Sequence, residues 1–289
     1  MPPSAQLAMD APLSAPLSGL RLRDLLRLDD IQDHWNVCDV LILPNQFSKV
    51  FLTGFAASDR CLERVYRLRY EIFNLELGEG TAAAAATGLD HDEFDDQMMH
   101  LLLLDRTTKD IIGTYRIQPA RHGLAHNGIY SAREYDLSGI EHLFDRAIEC
   151  GRACVAKPYR KATSLLALWS AIHVYLGMSG ARHLFGCCSV PSHDPDDGWR
   201  VMKTLRAAGY LHPEILLPPT PDYSCGSPDR EFDPSLGGPL PLPKLFGAYM
   251  RLGSLAVSQP AIDREFGTID FLILTDVRNL NMSDFVIKQ

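Results

Sequence analysis

Three consecutive short segments of this chain place charged residues inside apolar, strand-like surroundings. LDHDEFD carries Asp92 and Asp95, GTYR ends on Arg116, and ECGRACV carries Glu149 and Arg152. An ionised group taken out of water is strongly destabilising unless it is paired. Charges recurring in successive segments of this kind are therefore expected to meet one another. On a regular strand, a carboxylate and an arginine three positions apart lie on opposite faces. Glu149 and Arg152 are accordingly expected to divide the work, one reacting and one bracing. The pattern describes a site rather than a surface.

The remaining bounds are broad. A length of 289 residues fits one large domain, or one domain with elaborations. A formal charge of −8 gives no overall attraction to nucleic acid or anionic lipid, so such binding has to come from a local basic patch. No segment offers the roughly 18 uninterrupted apolar residues of a bilayer span. The N-terminal MPPSAQLAMDAPLSAPLS lacks the basic and apolar regions of a secretory signal. The seven cysteines form no CxxC pair and no zinc-type cluster with histidine. Cys150, Cys154, Cys187 and Cys188 stand in apolar stretches and are expected to be reduced and buried, in a cytoplasmic protein without a metal.

Along the chain, residues 1–18 are rich in Ala, Pro and Ser and are expected to be disordered. LSGLRLRDLLRLDDIQ has rough helical spacing and is expected to dock on the core rather than on a membrane. A helix is expected over 59–73, and GEGTAAAAATG reads as a mobile loop because of its flanking glycines. MMHLLLLD and DIIGTYRIQ form a hairpin through RTTK. Residues 130–144 read as helix and RAIECGRACV as strand; ATSLLALWSAIHVYLGMSG reads as a long helix and ARHLFGCCSV as strand. DPDDGWRVMKTLRAAG is a helix, capped by Asp194 or Asp196 and stopped at Gly209. Residues 217–243 are loop, followed by a helix and a late strand. This order predicts an α+β domain around one central mixed, twisted sheet flanked by helices, with 1–55 as an N-terminal extension and 56–289 as the domain.

Several motif readings fail on chemistry. His100 and Asp105 have the H-x4-D spacing of glycerolipid acyltransferases. On a strand, however, five steps place them about 16 Å apart and on opposite faces. There is no G-x-S-x-G elbow, GxGxxG or Walker sequence. A covalent mechanism at Cys150 or Cys154 has no base nearby in sequence. Arg160 and Lys161 sit where a strand hands over to a helix whose N-terminal amides would suit a phosphate or phosphopantetheine; ordinary first-turn solvation is the alternative. Glu149 is the best general base, since burial on an inner strand moves a carboxylate towards the useful range. An ion pair with Arg116 or Arg152 is its alternative role.

The ordered set RVYRLRYEIF, LDHDEFD, HLLLLD, GTYRIQPA, YSAREYDL, ECGRACVAKPYR, LLALWSAI, LFGCCSV and PAIDREFGTIDFLIL resembles the ornithine N-acyltransferase family over about residues 60–277. That family has the GNAT fold and is related to N-acyl amino acid synthases and acyl-homoserine-lactone synthases. The lactone synthases share looser forms of residues 69–73, of Asp92 with Asp95, of Arg116, and of Glu149 with Arg152. They lack the FGTIDF-type tail. Where the family usually has E-L-G-R-[SA]-C-V, this chain has ECGRACV, a small apolar exchange.

The resemblance implies a sheet that splays between two neighbouring parallel strands, placed at 147–156 and 183–190, where a pantetheine arm enters. The donor it implies is an acyl-acyl carrier protein, commonly with a 3-hydroxyacyl chain on a 4′-phosphopantetheine thioester, and no cofactor is permanently bound. Glu149 would deprotonate the acceptor amine directly or through water, and amides near Cys154, Val155 and Ala156 would hold the oxyanion. Asp92 and Asp95 would hold ammonium groups or lock Arg69, Arg116 and Arg152; bracing is preferred for Asp95, and Asp92 stays open. Any of the arginines suits the acceptor carboxylate. Arg200, Lys203 and Arg206, on one face of a helix, join Arg160 and Lys161 as a docking surface for the acidic carrier protein, with a solvated face as the alternative. The implied product is a lipid, so contact with the inner membrane face is expected, and nucleic acid is not a partner. Two other functions fit the same residues: acyl-homoserine-lactone synthesis using S-adenosylmethionine, and a silent GNAT-like lipid- or carrier-binding protein.

Overall fold

The structure, a computed structural model, describes residues 40–43 and 48–280. The expected helix at 17–32 lies outside those residues. Among the described residues, nine strands build one sheet: β1 (Val40–Ile42), β2 (Phe51–Ala56), β3 (Met99–Asp105), β4 (Ile111–Pro119), β5 (Ala147–Val155), β6 (His183–Pro191), β7 (Leu255–Ala256), β8 (Ala261–Asp263) and β9 (Thr268–Asp276). Their order is β1-β2-β3-β4-β5-β6-β9-β7, with β8 also paired to β9. The sheet therefore starts upstream of the expected boundary at residue 56. β2 is an inner strand, its Phe51–Ala56 lying between β1 and β3.

The β3–β4 hairpin forms as expected. Asp105 Oδ1 accepts from the amides of Thr107 and Thr108, which fixes the turn and leaves His100 at the far end of β3. Leu101 and Leu103 join one core and Leu102 and Leu104 another, so His100 and Asp105 do fall on opposite faces.

Helix α1 (Asp59–Tyr70) is capped by Ser58 and runs on as a π-helical stretch, Glu71–Leu77, that Gly78 ends at φ 69°. GEGTAAAAATG is not a loop. Five alanines form a short helix, α2 (Ala82–Thr87), between a Thr81 cap and Gly88 at φ 71°, so alanine propensity and the caps outweigh the flanking glycines. α3 (Ala120–Leu124) follows β4. Residues 130–144 do not form one helix. They split into the 3-10 segments Tyr130–Arg133 and Leu137–Arg146, because Tyr135 between them is drawn into the core and its hydroxyl donates to the Asp270 carbonyl at 2.7 Å.

α4 (Ala162–Ser179) is long and apolar enough to cross a membrane by length and composition. It is nevertheless a core helix, burying Leu168, Trp169, Ile172, Tyr175 and Leu176 against one face of the sheet. α5 (Pro195–Ala207) takes Asp194 as its cap, and α6 (Lys244–Arg251) adds Phe246 and Tyr249 to the same core. Residues 217–243 hold only short 3-10 turns, as expected.

Among the described strands, β5 and β6 form the single parallel pair, and they stay together only at Ala147↔His183, Ile148↔Leu184 and Glu149↔Phe185. Beyond Glu149 the two strands diverge, while β6 keeps its ladder to β9 as far as Pro191. Gly186 stands at the fork, where an added Cβ would lie 2.0 Å from the Cys150 carbonyl oxygen. This is the splay expected of the GNAT architecture, and it opens between the strands that the sequence named.

Candidate active site

Side-chain alternation sorts β4 and β5 cleanly. Tyr115, Ile117 and Ile148 enter the core beneath α4, so Arg116, Gln118 and Glu149 point to the opposite face. Arg69, from the last turn of α1, reaches the same face and is fully buried. Its Nε donates to Asp90 Oδ1 at 2.7 Å, and Nη1 and Nη2 donate to the two oxygens of Asp95 at 2.7 and 3.1 Å. Arg116 donates to Asp92 at 2.6 Å and to Asp95 at 3.0 Å. Arg152 closes the cluster with Nη2 3.3 Å from Asp92 Oδ2 and Nε 3.3 Å from Asp90 Oδ1, the latter without hydrogen-bond alignment. Three guanidinium groups thus meet three carboxylates, and the buried charges balance.

Arg152 is not on the face that a regular strand would give it. The β4–β5 register slips between Thr114 and Arg116, and Arg152 adopts φ 50° in the resulting bulge. A bulge re-aims a side chain, and here it brings Arg152 round to the side of Glu149. Its guanidinium lies 4.2 Å over the Phe266 ring and 5.4 Å from that of Tyr130, which Arg116 also approaches, at 5.1 Å. A non-glycine residue held in the left-handed region is a local cost that surrounding contacts must impose.

Asp92 and Asp95 are committed to bracing. Burial opposes the ionisation of Asp95, but Arg116 and Arg69 outweigh it and hold this carboxyl far below the usual carboxylate range. The same balance, led after burial by Arg116, lowers Asp92. His100 packs against this cluster, 3.3 Å from the Asp95 carbonyl, and burial pushes it down to about 4 despite the nearby Asp95 charge.

Glu149 pairs with neither Arg116 nor Arg152. Its Oε2 accepts from Gln118 at 2.8 Å and from the Tyr130 amide at 3.0 Å; its Oε1 accepts from the Ser131 amide and hydroxyl, both at 2.7 Å. Four donors fill the four acceptor sites of a carboxylate. A substrate proton reaches Glu149 only through one of these partners or after displacing one. Ser131 Oγ is the partner able to exchange a proton.

The other expected residues divide. Cys154 is buried, and burial pushes its thiol up to about 12; the Cys150 thiol is pushed higher still, so neither is a ready nucleophile. The Ala156 amide donates to the Ile112 carbonyl at 2.8 Å and is not free for an oxyanion. Alternation turns the Val155 amide to the opposite edge of the strand, towards the splay. Arg160 is not a free anion site: it grips both oxygens of Glu76, at 2.7 and 2.8 Å, and the Val155 carbonyl. Lys161 stays exposed at the start of α4. Arg200, Lys203 and Arg206 are tethers for the long loop. Arg200 donates to the Gly238 carbonyl, Lys203 to that of Gly237, and Arg206 to both oxygens of the buried Glu231.

Sequence reasoning missed Asp90, Gln118 and Ser131. Asp90 was detectable as the third carboxylate that three buried arginines require. Ser131 comes from a segment without strand periodicity, and nothing local marks it.

Residues 68–170, which hold Arg69, all three aspartates, Arg116, Glu149 and Arg152, match the family described as the acetyltransferase (GNAT) domain. The protein is an acyltransferase of the GNAT fold. The acyltransferase is 29% identical over 248 residues to an L-ornithine N(alpha)-acyltransferase of Agrobacterium fabrum, covering 79% of this chain and 81% of that protein. An enzyme of the same name from Rhodobacter capsulatus is 29% identical over 227 residues, covering 74% and 85% respectively. Among solved structures, an N-acyl amino acid synthase from uncultured soil microbes aligns over 82% of this chain and 98% of its own, with a TM-score of 0.46 and 11% identity. The acyltransferase thus resembles the ornithine N-acyltransferases over about three quarters or more of its length.

Proposed function

We propose that the protein transfers a long acyl chain from a phosphopantetheine thioester to the amine of an amino acid, with the α-amino group of L-ornithine as the acceptor and a lyso-ornithine lipid as the product. The observation that carries this reading is the charge-balanced cluster of Arg69, Arg116 and Arg152 with Asp90, Asp92 and Asp95, set beside the fork between β5 and β6. The similarity to enzymes named L-ornithine N(alpha)-acyltransferase supports the choice of acceptor.

In this reading the donor is acyl-acyl carrier protein, with a 3-hydroxyacyl chain as the preferred cargo. The pantetheine arm lies in the fork, where each diverging strand keeps an edge without a partner. The acyl chain continues towards the cleft lined by Tyr115, Cys150, Trp169 and Tyr249. The Val155 amide faces the thioester oxygen and stabilises it as the tetrahedral intermediate forms. Arg152, the most accessible of the three arginines at 12% exposure, binds the acceptor carboxylate, and Arg116 fixes it from behind through Asp92. The attacking ammonium must lose a proton; Ser131 Oγ takes it while passing its own to Glu149. Collapse of the intermediate then breaks the carbon–sulfur bond, and the second proton shed by the attacking nitrogen goes to the departing sulfur, which leaves as the pantetheine thiol. The product is a lipid, so the protein works at the inner membrane face as a peripheral enzyme.

The test is product mass spectrometry after incubation with long-chain acyl-carrier protein or acyl-CoA and pooled amino acids, with S-adenosylmethionine in a parallel reaction. An N-acyl amino acid, most abundant with ornithine, is the expected result. A lactone formed only with S-adenosylmethionine would overturn the acceptor, and no product with any donor would overturn the reaction.

A further inference from the structure

A second group of buried carboxylates lies on the same face of the sheet, and unlike the first it has no cation among the described residues. Asp270 and Thr268 project together from β9, since Ile269 and Phe271 enter the opposite core. Asp263 of β8 stands directly across from Thr268 in the register. Glu134 comes over them from the turn that begins with Ser131. One oxygen from each of Glu134, Asp263 and Asp270 lies within 4.8 Å of the others. The three residues are 1%, 5% and 4% exposed, and among the described residues none of them pairs with Arg, Lys or His.

The cluster is also short of donors. Both oxygens of Glu134, Asp270 Oδ1 and the hydroxyl of Thr268, itself 2% exposed, are sealed from solvent and have no well-formed hydrogen bond among the described residues. Buried polar groups left this way are strongly unfavourable. Protonation relieves some of that cost: burial, opposed by hydrogen bonding from Ser189 and reinforced by Asp263, pushes Asp270 up to about 6, and burial with Asp270 beside it lifts Glu134 well above the carboxylate range. A ligand that supplies positive charge and several N–H donors would answer the carboxylates of this group.

The surroundings indicate which cation. Glu134 follows three residues after Ser131, whose amide and hydroxyl hold Glu149. The Asp263 carboxylate accepts from the Glu265 and Phe266 amides at 2.9 and 3.0 Å, and the Phe266 ring carries the Arg152 guanidinium. The acidic pocket and the arginine cluster thus share a wall. A primary ammonium offers three N–H donors from one tetrahedral nitrogen, a number that matches one oxygen from each of the three carboxylates. The carboxylates that the sequence offered for ammonium binding, Asp92 and Asp95, are already taken by arginines.

We propose that Glu134, Asp263, Asp270 and Thr268 form a binding pocket for a primary ammonium, the second amine of a diamino acid whose carboxylate lies at Arg152. The inference rests on the amino-acid acceptor proposed above and adds the reason for its class. The acceptor is chosen by two ends of opposite charge, and a neutral side chain of the same length leaves Glu134 and Asp270 unanswered.

The test compares L-ornithine with L-norvaline, which has the same carbon chain and no second ammonium, first by calorimetric binding to the full-length protein without donor. Ornithine is expected to bind roughly 10- to 100-fold more tightly than norvaline, and Glu134→Gln and Asp270→Asn are each expected to shrink that ratio towards one. The ornithine-to-norvaline ratio of kcat/KM should fall in parallel. Equal wild-type affinity for the two amino acids overturns the pocket, and needs no variant to fold. So does discrimination that survives in both variants, or binding of Mg²⁺ or Mn²⁺ in place of ornithine. Acylation of both amino acids with equal efficiency sinks the pocket and leaves the acyltransferase reading standing. Discriminating binding with no acylation does the reverse.

Discussion

The guanidinium of Arg152 rests 4.2 Å over the ring of Phe266, joining the bulge of β5 to the turn between β8 and β9. Arg152→Lys keeps the charge but loses the planar face and the two-pronged reach to Asp90 and Asp92. It is expected to lower kcat/KM at least about tenfold. The backbone makes a separate statement. At φ 50°, Arg152→Gly should be about 1 kcal/mol more stable than Arg152→Ala, because only alanine carries a Cβ into the left-handed region. Urea unfolding of the two inactive variants checks this, and equal midpoints would count against strain at the bulge.

Asp95→Asn leaves Arg69 and Arg116 facing a neutral group inside the protein. The expected loss is about 3–5 kcal/mol, the range for breaking a buried pair from one side. Asp92→Asn should cost less, because Asp92 is 15% exposed and water can partly replace the lost charge. Denaturant midpoints of the two variants give the order.

His100 gives the cluster a pH signature. Its folded value, near 4, lies below the ordinary value of about 6.5, so the unfolded chain binds the extra proton first as pH falls. Its contribution is whole above about pH 6.5 and fades towards pH 4. Asp270 has the opposite sign. Raised to about 6, it favours the folded state below its unfolded value and loses that contribution as pH rises through 6. His100→Asn should therefore flatten the acid side of the stability curve, and Asp270→Asn the stretch between about pH 4 and 6. Thermal unfolding across pH 4–8 separates the two.

Glu149→Gln replaces two acceptor oxygens with one acceptor and one donor, and that donor meets Gln118, Tyr130 or Ser131, all already donating. Transfer should fall by about 10²–10⁴. If the loss is that of a base, raising the pH restores some of the rate, because the acceptor amine then deprotonates in solution. A purely positional loss stays flat with pH. Ser131→Ala should show the same pH rescue from a smaller deficit.

Reversal of Arg206 to Glu sets like charges against the buried Glu231. The expected result is a lower melting temperature and equal loss with carrier-protein and free pantetheine donors. A deficit confined to the carrier-protein donor would assign α5 the docking role expected from the sequence.

What was legible in the sequence was what burial makes costly. Arg116, Asp92, Asp95 and Glu149 stood out because charges are rare in apolar strands, and the fork fell between the strands expected to bear it. The bulge was not legible. One extra residue in β5 reverses the face of Arg152, and no residue type at 149–156 announces it. The second carboxylate group was hidden for a different reason: Glu134 and Asp270 lie far apart in sequence and meet only because Tyr135 pulls its segment across β9. The early strands β1 and β2 went unassigned because the likeness to known motifs begins only near residue 60.

Gly186 gives the fork a fixed depth. With any other residue there, a side chain would push against the Cys150 carbonyl, and β5 and β6 would have to separate a residue earlier. The opening would then begin at a different height along β5, while Arg116 and Arg152 stayed where their aspartates hold them. The absence of one methyl group thus works as a ruler, setting the height along β5 at which the opening begins relative to the buried charges.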